Sequence, residues 1–176
     1  MKKKVGKEVL SWIITIAAAV IVALLIREYV VNIAYVPTGS MIPTIEINDK
    51  IIVSRISLFF EDIKTDDLVV FKPNESVMNN RTQDKESLLV KRVIAKGGET
   101  IEIKAGVVYI NGVPKSEPYV FNKSKDDFAP FLVPDGCYFV MGDNRSNSWD
   151  ARFWDQHYVK RDEIIGKAVY RFGALK

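Results

Sequence analysis

The 176-residue sequence predicts a mainly β protein, folded-over antiparallel sheets or a partial barrel, preceded by one N-terminal transmembrane α-helix. Three observations predict it. Residues 9–26, VLSWIITIAAAVIVALLI, are apolar and carry no charge. The chain beyond them has hydrophobic period two rather than 3.6. Turn residues divide that chain into short runs.

The apolar run is long enough for a span. As a helix it rises about 1.5 Å per residue, roughly 27 Å, close to the ~30 Å hydrocarbon core. A cleaved leader would have a shorter apolar region followed by a small-x-small site. Here Ala17-Ala18-Ala19 lies mid-run and the end is Leu24-Leu25-Ile26-Arg27-Glu28. Lys2, Lys3, Lys4 and Lys7 precede it, which places the N-terminus in the cytoplasm by the positive-inside rule. The expected organisation is therefore residues 1–8 cytoplasmic, 9–27 anchor and 28–176 an extracytoplasmic domain on the outer face of a cell membrane, single-pass.

Seven strands are expected after the anchor: Lys50–Val53, Asp67–Phe71, Leu88–Ile94, Thr100–Ile103, Val107–Ile110, Tyr138–Met141 and Lys167–Phe172. Asn48-Asp49, Gly97-Gly98, Asn111-Gly112 and Pro134-Asp135-Gly136 separate them, and Asn111-Gly112 is the clearest hairpin signal. Residues 74–87 and 122–130 read as loops. Leu58-Phe59-Phe60 reads either as core or as an apolar contact with the bilayer interface.

Charge narrows the function. Residues 1–27 hold five basic side chains against Glu8, and the remaining 149 hold 20 basic and 21 acidic ones. The net +3 thus belongs to the N-terminus, no broad basic face is implied, and nucleic acid is not expected as a partner. One cysteine, Cys137, excludes an internal disulfide framework and a multi-cysteine metal site; one histidine, His157, excludes a histidine cluster. No metal or other cofactor is expected.

Four features could carry chemistry. Pro37-Thr38-Gly39-Ser40-Met41-Ile42-Pro43 is a small-residue turn after the apolar stretch 30–36; it is a serine nucleophile beside an open N–H, or only a turn. His157 is the sole candidate for a Ser-His-Asp arrangement, or a packing residue. Lys91 lies in a strand, where alternation groups it with Leu89 and Val93 and groups Arg92 with Val90 and Ile94. Facing inward, desolvation would lower its pKa and make it a base; on an edge strand it would only blunt aggregation. Both readings stand at this point. Residues 141–152, MGDNRSNSWDAR, interleave two acids and two arginines with small polar residues, as a loop bracing a site or a salt-bridged surface turn.

The combination resembles the bacterial type I signal peptidases, over nearly the full length and in order. The short anchor is followed by Gly39-Ser40-Met41-Ile42-Pro43-Thr44, Asp67–Phe71, Lys91-Arg92-Val93-Ile94, Asn111-Gly112 with Glu117-Pro118-Tyr119, and Gly142-Asp143-Asn144-Arg145 through Asn147-Ser148, Asp150 and Arg152. The length is similar to that of single-anchor Gram-positive members. The resemblance implies a membrane-bound serine endopeptidase that cleaves signal peptides from exported preproteins through an acyl-enzyme. It implies Ser40 as nucleophile and Lys91 as general base, with Thr38 and the Ser40 N–H as oxyanion donors. Ser148 would aim Lys91. Asp143, Arg145, Asp150 and Arg152 would be structural supports, and Val36, Met41, Ile45, Leu89 and Val90 would line the substrate pockets. The implied partners are signal peptides with small residues one and three before the cut, membrane lipid and, transiently, the secretion translocon.

Three positions depart from the family pattern. Ala151 stands where serine is usual, Lys96-Gly97-Gly98-Glu99 replaces an apolar-Pro-Gly-Asp turn, and Asp155 replaces a common glycine. The alternative is a catalytically inactive homologue that binds signal sequences or a partner while tethered to the membrane, with Ala151 in its favour. A self-cleaving Ser/Lys protease of the repressor type shares the dyad, but its family carries a DNA-binding segment that is not read here.

Overall fold

The computed structural model describes residues 2–29, 31–74 and 88–172, with side chains over 8–24, 32–74 and 88–172. Helix α1 spans Lys2–Tyr29 and is followed by two sheets. Every side chain described on α1 is exposed. Among the described residues, no helix is long and apolar enough to cross a membrane. The side chains of residues 1–7 and 25–27, at the two ends of the expected cytoplasmic segment and anchor, lie outside the described ones, as does the expected loop 74–87 apart from Asn74.

The larger sheet has the order β1-β2-β11-β3-β4-β9-β10, formed by β1 (Val31–Tyr35), β2 (Lys50–Ser54), β11 (Ile164–Phe172), β3 (Leu68–Phe71), β4 (Leu89–Lys96), β9 (Cys137–Met141) and β10 (Val159–Lys160). The smaller has the order β7-β6-β5-β8, formed by β7 (Val113–Pro114), β6 (Val107–Ile110), β5 (Thr100–Lys104) and β8 (Phe128–Leu132). All pairings are antiparallel. Strand β4 feeds β5 through Gly97-Gly98, and β8 returns to β9 through Pro134-Asp135-Gly136. The two crossings touch: a Cβ at Gly97 would lie 2.9 Å from Asp135 Cα and from Pro134 O. The unusual glycine pair is therefore what lets one sheet turn onto the other.

The expected β architecture is present, with more strands than the seven expected. Residues 122–127 are loop as expected, but Phe128–Leu132 is strand β8. The strand contains Pro130, which is tolerated because β8 is an edge. Strand β1 was hidden because it follows α1 with no turn residue between them. The Asn111-Gly112 hairpin forms with both residues at positive φ (52° and 80°), pairing Ile110 with Val113. A second two-residue turn, Ala105-Gly106, closes β5 onto β6.

Two cores form, the first joining the two sheets and the second lying under the larger one. One lies around Val69, Phe71, Val93, Ile101, Val108, Phe139 and Trp154. The other packs Ala34, Val36, Met41, Ile45, Ile51, Val53 and Val70 beneath the loop 36–49. The helix α2 (Ser57–Phe60) lays Leu58 on the first core and leaves Phe59 and Phe60 78% and 80% exposed, so these two phenylalanines are not core residues.

Candidate active site

Loop 36–49 hangs between the paired strands β1 and β2, where Tyr35 meets Lys50. Val36 donates its N–H to Asp49 O at 3.1 Å, and Asn48 donates back to Val36 O at 2.9 Å. Val36, Met41 and Ile45 sink into the second core and pin the loop from below. Ser40 is thereby presented at a fixed point, itself buried.

Strand β4 supplies the partner. It lies between β3 and β9, so Lys91 is not on an edge, which removes the aggregation-blunting reading. Lys91 is 3% exposed, pairs across the strand with Val69, and shares its face with Leu89 and Val93. Its Nζ donates to Ser40 Oγ at 2.6 Å and to Ser148 Oγ at 3.1 Å. Thr38 Oγ1 lies 3.5 Å from Ser40 Oγ. Burial lowers the Lys91 pKa from its ordinary 10.5 to about 8; Asp150 and Asp143 oppose that shift and Arg152 assists it. At pH 7 about a tenth of such amines are neutral, against fewer than about one in a thousand for an ordinary lysine.

The loop after β9 closes the site. Asp150 accepts the Gly142 N–H at 3.0 Å and two Arg152 hydrogen bonds at 2.8 and 2.9 Å. Arg152 also reaches Ser124, Asp126 and the Arg145 carbonyl. Arg145 donates to Gly142 O at 3.0 Å and forks onto Glu117 at 2.8 and 2.6 Å. Asp143 takes a two-pronged bond from Arg92 at 2.8 and 2.6 Å, and Tyr119 lies under the Arg92 guanidinium at 3.9 Å. Each charge is matched where it is buried, which is the condition for holding charges in a dry interior.

A cavity of about 370 Å³ opens onto the dyad, lined by Thr38, Gly39, Ser40, Leu89, Lys91 and the stretch Ser146-Asn147-Ser148-Trp149. Of the five residues expected to line pockets, Leu89 is on this wall. Val90 packs on the second core, and Val36, Met41 and Ile45 are buried within it. His157 stands apart, its ring edge-on to Phe128 and Phe131 with Nδ1 2.7 Å from Ala151 O. Cys137 is buried and burial raises its thiol pKa, the opposite of an activated nucleophile. Among the described residues, no three His, Cys, Asp or Glu side chains group as metal ligands.

Residues 9–173 match the family described as signal peptidase, peptidase S26. The chain belongs to this family. It is 40% identical to signal peptidase I of Leptolyngbya laminosa over 96% of this chain and 82% of that one. It is 34% identical to signal peptidase I T of Bacillus subtilis over 97% of this chain and 88% of that one. A solved signal peptidase I from Enterococcus faecalis aligns with a TM-score of 0.48 at 29% identity, over 62% of this chain and 98% of that one. Peptidase membership fixes the chemistry as peptide-bond hydrolysis.

Several residues at this site carried no expected role, among them Asn144, Trp149 on the cavity wall, Glu117 paired with Arg145, and Gly142. The last had a usable signal, a glycine directly after a strand and ahead of a charged loop. A Cβ there would stand 2.3 Å from Ser148 Oγ and 2.5 Å from Ser40 O. Gly142→Ala is therefore expected to push Ser148 off Lys91 and lower kcat at least about tenfold with the fold retained. Assays beside circular dichroism check this, and full activity would show that the loop gives way harmlessly.

Proposed function

We propose that this chain is a membrane-anchored signal peptidase that removes signal peptides from exported preproteins with Ser40 and Lys91. The observation that carries the reading is the 2.6 Å contact between a buried amine and a serine hydroxyl at the edge of a cavity. Neutral Lys91 accepts the Ser40 proton as Oγ attacks the scissile carbonyl. Thr38 and the Ser40 N–H hold the oxyanion, and each such donor contributes about 3–4 kcal/mol. Lys91 passes the proton to the leaving amine, then takes one from the water that attacks the acyl group and returns it to the departing Ser40 Oγ. Ser148 aims Nζ through both steps.

The substrate lies extended beside Leu89, so residues one and three before the cut point the same way and both need to be small. The inactive alternative loses its one support. Ala151 is buried with its N–H on Val140 O, and the hydrogen bonds of the dyad run to Ser148 instead. Residues 1–8 remain in the cytoplasm, 9–27 cross the bilayer and 28–176 work outside. Support comes from α1, whose large apolar side chains from Val9 to Leu24 are all exposed, as suits a helix solvated by lipid. Membrane lipid and, transiently, the secretion translocon are the further partners.

Two measurements test the reading. Purified protein mixed with a preprotein is expected to release a mature chain starting after a small-x-small sequence, read by mass spectrometry. A preprotein with a bulky residue just before the cut stays whole. Cleavage indifferent to that residue overturns the assignment. In vesicles, the protein resists alkaline carbonate extraction; release into the supernatant overturns the anchor.

A further inference from the structure

We propose that Asn144, set in turn by Asn122, is a positioning residue that aims the Ser40 N–H at the oxyanion. This rests on the reading of that N–H as an oxyanion donor.

The Gly39 carbonyl and the Ser40 N–H belong to one planar peptide unit and point in opposite directions. Whatever holds the carbonyl therefore sets where the N–H points. Asn144 Nδ2 donates to Gly39 O at 3.0 Å, and the Asn144 backbone N–H donates to Ser40 O at 3.0 Å. One buried residue thus grips the carbonyls on both sides of Ser40. Gly39 O can only accept, so it takes Asn144 Nδ2 and turns Asn144 Oδ1 the other way; Asn122 Nδ2 donates to that Oδ1 at 3.2 Å and holds the amide in place. Asn122 is itself tied to the loop after β9, its carbonyl accepting the Ser146 N–H at 3.3 Å. The chain Asn122, Asn144, Gly39, Ser40 joins the loop before β8, the loop after β9 and the nucleophile turn.

The grip is shared. Ile42 N–H also reaches Gly39 O, at 3.3 Å. Loss of Asn144 Nδ2 therefore tilts the peptide rather than freeing it. The effect should fall short of the 10²–10³-fold seen when an oxyanion donor is deleted outright.

The full chain in detergent, with a peptide substrate, tests this through Asn144→Ala, Asn144→Asp and Asn122→Ala. Working above pH 8 keeps the base ionisation out of the rate. The Asn144 variants are expected to lose about 10–100-fold in kcat and Asn122→Ala about 3–10-fold, with KM within twofold and the pH midpoint unmoved. Affinity for a peptide boronate, whose adduct on Ser40 carries the tetrahedral oxygens, should fall by the same factors. Affinity for an uncleaved peptide should not. Unchanged kcat and boronate affinity in all three variants overturn the proposal, as does a joint loss of boronate and plain peptide binding. Thr38→Val separates the two levels. If it weakens the boronate while the asparagine variants do not, the asparagine chain is wrong and the oxyanion reading stands. If none of the four variants weakens it, the oxyanion reading has failed as well.

Discussion

Lys91→Arg is expected to leave no measurable turnover in a folded protein. Arginine keeps its proton at every working pH, so it cannot accept one from Ser40. Loss of general-base help alone is worth about 10²–10⁴-fold, and the wider guanidinium has no room to match both the 2.6 Å and 3.1 Å contacts of Nζ. The wild-type rate should climb about tenfold per pH unit up to about pH 8 and level off above it, following the neutral amine. His157→Ala should keep both the rate and that profile, because its ring packs on Phe128 and Phe131. Retained activity in Lys91→Arg together with a dead His157→Ala would refute the dyad. The same pKa has a stability signature. Folding lowers it from 10.5 to about 8, so between those values the unfolded chain binds more protons than the folded one. Stability then rises with pH through that window, and below about pH 8 the burden of a buried ammonium is present in full. In urea titrations the wild type should gain stability relative to Lys91→Met as pH rises over 8–10.5.

Ser40→Ala is expected to abolish cleavage by about 10⁴-fold or more, the scale seen when a protease nucleophile is removed. It should also abolish the covalent adduct with a peptide boronate, as intact-mass measurement would show. The fold should survive, because Met41 and Ile45, rather than Ser40, anchor the turn in the core. Lys91 keeps Ser148 as a partner. A Ser40→Ala protein that still processes substrate would move the nucleophile elsewhere.

Much of this is legible before folding. Period-two runs and the Asn111-Gly112 turn mark most strands, because those signals are local. Others are not local. Ala105 adopts φ 47° in a turn where asparagine or glycine would have been the cue. Strand β8 contains a proline whose tolerance depends on having no neighbour on one side. The status of Lys91 was open in the sequence because edge and centre are properties of the sheet. Alternation puts Lys91 and Arg92 on opposite faces, each with apolar neighbours, and leaves open which of them faces inward. Both are buried, because both faces of β4 are covered. The site was readable as three separate motifs. That Leu89, rather than Val36, Met41 or Ile45, meets the cavity follows from the loop packing downward, which no pattern in the chain records.

Neighbouring cations on opposite sides of one central strand have a consequence for how the protein assembles. If β4 slipped by a single position, every side chain would exchange sides. With Arg92 moved into the place of Lys91, the serine would meet a permanent cation and Asp143 would lose its forked partner; slipped the other way, Val90 would face the serine in place of any base. Misalignment would thus yield an inert and electrostatically frustrated product, so recovered catalytic activity after refolding counts correctly aligned molecules.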